Sequence, residues 1–255
     1  VRPWGDAQAK QIWKKPMAVM VDRYSASASE IFAGAIQDYQ RGIIIGQKTF
    51  GKGTVQKLDN LSSGQIKITE SKFYRITGAG MQSKGIHPDI TLPSTWDIEE
   101  IGESSYDTAL PWDEIKPVRF KKFFMGPTLI SKLNDEHLTR VDRSPNLQYI
   151  LDIRKRYEIQ KNKEVISLNL INRRIEKEER QSWALGIENK RRASLNLETF
   201  SSFKAMEDFN DAKETKDNES NSEIDVNNDY LLNEGMQILS DYTMLNQKIY
   251  LSKAS

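Results

Sequence analysis

Met17-Ala18-Val19-Met20-Val21, then Ser25-Ala26-Ser27-Ala28-Ser29-Glu30, then Ile43-Ile44-Ile45-Gly46 make up the stretch whose reading decides the fold. The first run is continuously apolar and of strand length, the pattern of a strand covered on both faces. Across residues 27–39 small and apolar side chains recur at helical spacing, with Ile31 and Ala35 on one line and Phe32 and Ile36 on another. Ile43 to Ile45 form a second buried run, closed by Gly46. A strand, a helix and a strand within so short a span predict a right-handed parallel crossover, and with it an α/β fold class.

Downstream of Gly53 the texture changes. Ile66, Ile68, Tyr74 and Ile76 share one parity and Gln65, Lys67, Thr69 and Arg75 the other, which predicts a half-buried strand or a β-ribbon. Gly78-Ala79-Gly80 turns the chain, and residues 88–93 close the unit between two prolines. Residues 95–105 are polar and acidic, so the expected division is 1–103 against a mainly helical 104–255. In the second part Ser144-Pro145 starts an amphipathic helix carrying Leu147, Ile150, Leu151, Arg154 and Tyr157. Residues 165–170 suit a short strand, 171–192 a helix of mixed charge, and 207–229 a polar, mobile segment. A last helix places Leu232, Met236, Leu239 and Tyr242 on one stripe.

Bulk properties narrow the chemistry. The 255 residues hold 37 Lys plus Arg against 36 Asp plus Glu, and this balance gives no footing for a nucleic-acid partner. Cysteine is absent, which removes disulfides, thiolate metal sites and a thiol nucleophile. Of the two histidines, His87 lies in a Gly-Ile-His-Pro-Asp turn and His137 in a charged stretch that reads as solvated. The expected base is therefore not histidine, and no metal site is expected. No apolar run reaches the roughly 18 residues of a membrane span, and Val1-Arg2-Pro3-Trp4-Gly5-Asp6 does not read as a signal peptide.

The serine-rich junction between strand and helix is the densest chemical feature. A nucleophile there is held by a tight turn while helix N-terminal amides face a reacting carbonyl. Ser27-x-x-Glu30 is equally a capping box, which is the ordinary structural reading. Thr49-Phe50-Gly51-Lys52-Gly53-Thr54-Val55-Gln56 follows the second buried strand. A lysine titrates near about 10.4 when unperturbed, so Lys52 serves as a base only where an apolar setting neutralises it. The glycine spacing is not that of a phosphate-binding loop. A parallel sheet returns both segments to the same end, so one of the three serines and Lys52 can meet. Residue chemistry alone leaves Ser25, Ser27 and Ser29 open.

The run 21–35, with Val21-Asp22-Arg23 and Ser25 through Ala35, resembles the catalytic serine segment of the tail-specific, or C-terminal processing, proteases. Gln37-Asp38-Tyr39, Thr49 through Gln56, Lys72-Phe73-Tyr74-Arg75 and Lys84-Gly85-Ile86-His87-Pro88-Asp89-Ile90 continue the resemblance in register. Asp107-Thr108-Ala109-Leu110-Pro111-Trp112-Asp113 and Ile166-Ser167-Leu168-Asn169 extend it to the C-terminal region of the long periplasmic branch. What the resemblance implies is Ser27 as nucleophile, Lys52 as general base, Gln56 as the residue orienting the lysine, and the Ala28 amide as an oxyanion donor. It implies a partial ClpP/crotonase-like core in 1–103, a helical C-terminal domain in 104–255, and no cofactor. Protein or peptide substrates, an adaptor protein, peripheral membrane association and a periplasmic parent are implied as well. Asp38 matches an acidic position sometimes grouped with the pair. Eleven helical residues separate it from Ser27 by roughly 16 Å, so its expected role is structural.

Relatives carry a signal peptide, a helical region, a PDZ domain and a glycine-rich turn ahead of the serine segment. None is visible here, so the expected chain is the C-terminal part of the enzyme, inactive alone and with unpaired strand edges. Three rivals stand beside this reading. A crotonase-type acyl-transfer enzyme would need coenzyme A. Ser201-Ser202-Phe203-Lys204 matches a Ser-x-x-Lys pattern but lies beside the polar segment. A non-catalytic module would dock an adaptor or substrate along the helix 171–192.

Overall fold

The computed structural model describes residues 12–97, 100–123, 127–219, 226 and 229–254. Strand β1 (Ala18–Val21), helix α1 (Ala28–Asp38) and strand β2 (Ile43–Gly46) form the expected crossover. β1 and β2 are parallel, with Ala18 opposite Ile43 and Val21 opposite Gly46. A short strand β5 (Ile90–Thr91) adds to the other edge of β2, also parallel, with Ile45 opposite Ile90. Between β2 and β5 the chain leaves the sheet as an antiparallel hairpin, β3 (Thr54–Asn60) and β4 (Gln65–Lys72).

Strand periodicity divides β2 between two cores. Ile44 faces α1, where it packs with Val21, Ala33, Met81 and Ile86. Ile43 and Ile45 face the opposite side with Ile90 and Leu92, against Leu129 and Leu133 of α2 (Pro127–Arg143) and Ile238 and Tyr242 of α6 (Tyr230–Ala254). The C-terminal helices are thus the second layer on the sheet, and the fold is mixed α/β with a helical C-terminal region. α3 (Pro145–Lys161), α4 (Leu170–Ser194) and α5 (Phe203–Glu219) pack in succession from α2. Ser144 caps α3 as its sequence suggests, accepting from Leu147 N–H.

Several expectations need correction. β1 is an edge strand among the described residues, and Met20 is 39% exposed because no further strand covers that side. Of the two expectations for the hairpin the ribbon holds, since most of it is exposed on both faces. Residues 165–170 form no strand. The segment is irregular up to the start of α4, with Val165, Ile166 and Leu168 exposed. Residues 207–219 are helical, in α5, and the remainder of that polar segment lies largely outside the described residues.

His137 is not solvated. It is 1% exposed, and its Nδ1 pairs with Glu234 Oε1 at 2.8 Å while Nε2 lies 3.2 Å from the Thr91 carbonyl oxygen. Arg140 joins Glu234 and also reaches Asp241 at 2.7 Å, so α2, α6 and β5 are tied by one ionic cluster. Burial alone would push the Glu234 carboxyl up. Hydrogen bonds from His137 and Arg140, with their charges, outweigh it and hold the group below the usual carboxylate range. A carboxylate with a lowered folded value stabilises the fold above its unfolded value and loses that contribution as pH falls through the folded one. Glu234→Gln should therefore cost about 3 kcal/mol near neutrality. It should also flatten the acid limb of stability against pH, measured by urea unfolding between pH 7 and 3. An unchanged acid limb would remove Glu234 as the cause.

Candidate active site

The chain leaves β1 through a turn built on Asp22, whose Oδ1 accepts from the N–H groups of Tyr24 (3.0 Å) and Ser25 (2.9 Å). The Ser25 hydroxyl donates to the same oxygen at 2.9 Å and is committed there. Ser29 sits exposed in the first turn of α1. Ser27 differs from both: it precedes the helix with φ 57° and ψ −110°, a conformation an L-residue adopts at roughly 1–3 kcal/mol of strain. Ala28 follows as the first helical residue, and its N–H is one of the helix-start amides without an intrahelical acceptor.

Glu30, one turn into the helix, is fully buried. Its Oε2 accepts from Ser27 N–H (2.9 Å) and Lys52 N–H (2.9 Å). Its Oε1 accepts from Gly51 N–H (2.7 Å) and from the Thr49 hydroxyl (2.5 Å). One carboxylate therefore joins the serine turn to the lysine loop. Thr49 Oγ1 in turn accepts from Ile86 N–H at 2.7 Å. Beneath the loop Arg23 is also fully buried and donates through Nη1 to the Thr49 carbonyl. Burial draws the guanidinium's affinity for its proton down, and the Glu30 charge offsets part of that.

The glycines flanking Lys52 admit a neighbouring backbone. A Cβ on Gly53 would lie 2.5 Å from Gln82 N, and one on Gly51, at φ 92°, would lie 3.0 Å from the Ser83 carbonyl carbon. Ser83 N–H donates to Gly51 O at 2.8 Å and Gly53 N–H to Gln82 Oε1 at 2.9 Å, so the loop is held on both sides of Lys52. The Lys52 side chain lines a cavity of about 420 Å³ together with Ala26 and Gln56. Gln56 Nε2 donates to Thr69 Oγ1 across the hairpin at 3.3 Å.

Asp38 lies elsewhere. At the far end of α1 it receives Arg75 Nε at 2.9 Å and a second bond from Arg75 Nη2. Arg75 also donates to Gln37 Oε1 (2.8 Å), and Gln37 donates to Asp89 Oδ1 (3.0 Å). Asp89 accepts from Ile44 N–H at 2.8 Å, which ties the helix end to the central strand. Burial nevertheless pushes the Asp89 carboxyl up. His87 is exposed, in the irregular segment ahead of β5. Ser202 caps α5 through Ala205 N–H, and Lys204 faces solvent, so the Ser-x-x-Lys pattern there is a helix start. Among the described residues no group of three or more His, Asp or Glu is placed to hold a metal. Glu30 is the functional side chain that sequence reasoning missed. Its signal was in plain view as the fourth residue of the capping box, but a cap accounts for one of its four bonds.

Comparison with known proteins supplies the family. Residues 96–244 match the C-terminal domain of tail specific protease, and residues 4–92 match peptidase family S41. The whole chain aligns at 34% identity over 269 residues with the "Tail-specific protease" of Haemophilus influenzae, of which it covers 36%. A "Carboxy-terminal-processing protease" of Bartonella bacilliformis is 45% identical over 80 residues, which is 31% of this chain and 18% of that protein. The chain thus spans about a third or less of the length of these curated relatives. The solved "Photosystem II D1 C-terminal processing protease" is 41% identical over 30% of this chain and 20% of its own, with a TM-score of 0.29.

Glu30→Gln would turn an amide NH₂ toward backbone N–H donors, leaving at least one buried donor unpaired at a cost of roughly 3 kcal/mol. Thermal unfolding should register that loss, and hydrogen exchange should quicken at Gly51 and Lys52. Unchanged exchange at both amides would refute the bridging role.

Proposed function

The chain belongs to the tail-specific protease family, and from that membership we propose that it supplies the nucleophile and the base of a serine endopeptidase. Lys52 takes the proton of the Ser27 hydroxyl as its oxygen attacks a peptide carbonyl. The oxyanion is met by the Ala28 amide at the helix start. The C–N bond then breaks, the lysine returns the proton to the leaving amine, and water hydrolyses the acyl-enzyme with the same base. Gln56 borders the lysine's cavity and orients it when substrate is bound, while Asp38 acts at a distance by holding Arg75. No cofactor enters the reaction.

The observation that carries this reading is the Glu30 carboxylate, bonded at once to the amides of Ser27 and Lys52. Ser25 is committed to Asp22 and Ser29 lies within the helix, which supports Ser27 among the three. In this reading residues 1–103 end a ClpP/crotonase-like core and 104–255 form the C-terminal domain of a longer enzyme. In the longer enzyme a further segment supplies the second oxyanion donor. The full enzyme works in the periplasm on unfolded or C-terminally recognised proteins, with an adaptor and peripheral membrane contact as accessory features.

A non-catalytic docking module is the second reading, favoured by the exposed apolar side chains Val165, Ile166, Leu168, Leu170 and Ile171. A fluorophosphonate probe on the full-length protein separates the two. Ser27 should be labelled, Lys52→Met should slow labelling at least about 100-fold, and Ser25→Ala and Ser29→Ala should keep it. Labelling that persists in Ser27→Ala would sink the protease reading. Partner capture without any labelling would favour the module.

A further inference from the structure

The cavity beside Lys52 has a wall that does not come from the peptidase-family segment. Ala26, Phe50, Lys52 and Gln56 supply one part of a lining that is about half polar, and Glu103, Tyr106, Ala109 and Leu110 supply the other, the outer wall. The peptidase-family match ends at residue 92 and the C-terminal-domain match begins at 96, so the outer wall belongs to the latter.

This wall is fastened to the lysine loop. Glu103 N–H donates to the Phe50 carbonyl at 2.9 Å. Gln82 takes Gly53 N–H on its Oε1 and donates through Nε2 to Glu103 Oε1 at 2.9 Å, so one side chain grips both the loop and the wall. The Phe50 and Tyr106 rings lie with centroids 6.5 Å apart. Even so, Tyr106 is 58% and Leu110 41% exposed, and both line the cavity. A volume of about 420 Å³ is ample for one large aliphatic or aromatic side chain.

Resting on the protease reading, we propose that Tyr106 and Leu110 determine specificity: they select substrates with an uncharged apolar side chain on one side of the scissile bond. A peptide whose carbonyl lies against Ser27 and Lys52 places a flanking side chain within reach of this cavity, and covering Tyr106 and Leu110 removes apolar surface from water. An acidic side chain would meet the same apolar surface and the Glu103 carboxylate, which also lines the cavity. Both residues are exposed, so replacing them leaves the two cores untouched.

The test maps cleavage sites by mass spectrometry after digestion of an unstructured protein with the full-length enzyme. Wild type should concentrate Val, Leu, Ile, Met and Phe at one position flanking the cut, at least about 10-fold over Asp and Glu. Tyr106→Ala with Leu110→Ala should reduce that ratio by about 10-fold, and Leu110→Lys should bring acidic residues into the same position. An unchanged site distribution in these variants would overturn the proposal. So would loss of cleavage together with loss of Ser27 labelling, which would place the segment in the catalytic framework. Failure of the underlying reading is distinguishable, since wild type itself would then leave Ser27 unlabelled.

Discussion

A buried carboxylate is tolerated only where donors replace the water it gives up, and Glu30 draws its donors from two separate segments of the chain. That requirement organises this end of the sheet. β1 and β2 are parallel neighbours, so the turn leaving one and the loop leaving the other emerge side by side. Glu30 rises from α1 between them and takes amides from both. The positive φ of Ser27 and the glycines around Lys52 are what the backbone must adopt to deliver those amides. Arg23 answers from below, a buried cation set near the buried anion and bonded to the carbonyl of Thr49, whose hydroxyl feeds Glu30.

Much of this was legible because it is local. A five-residue apolar run, a small-residue helix and an isoleucine triplet admit few arrangements besides a parallel crossover. Its geometry brings the ends of the two strands together without any knowledge of side-chain contacts. The choice among Ser25, Ser27 and Ser29 was not legible. What distinguishes the three in the structure is one backbone dihedral and an Asp22 turn that occupies the first hydroxyl. His137 was misread because its immediate neighbours, Asn134, Asp135 and Glu136, are polar. On a helix the relevant neighbours are Leu133 and Val141, four residues away on either side, and both are buried.

The polar stretch 207–219 failed for the opposite reason. Composition argued against order, yet the stretch continues a helix that starts at Phe203 and is anchored by buried Met206 and by Phe209 against Phe200. Conversely, residues 165–170 carry the alternation of a strand but meet no partner strand among the described residues, and alternation without a ladder leaves the backbone irregular.

The division expected at residue 103 is convenient, but the packing does not respect it. Ile44 serves the core that positions α1, while Ile43 and Ile45 serve the core made with α2 and α6. A strand of four residues thus has both faces specified, one by each part. The loop carrying Lys52 leaves the end of that strand, so its position depends on both cores at once. The wall at residues 103–110 binds that loop from outside through Gln82 and Phe50. Helices α2 and α6 hold the sheet from behind through Ile238 and the Thr91–His137–Glu234 cluster. The C-terminal region therefore braces the central strand from behind and the lysine loop from outside, and its packing is part of what positions that loop.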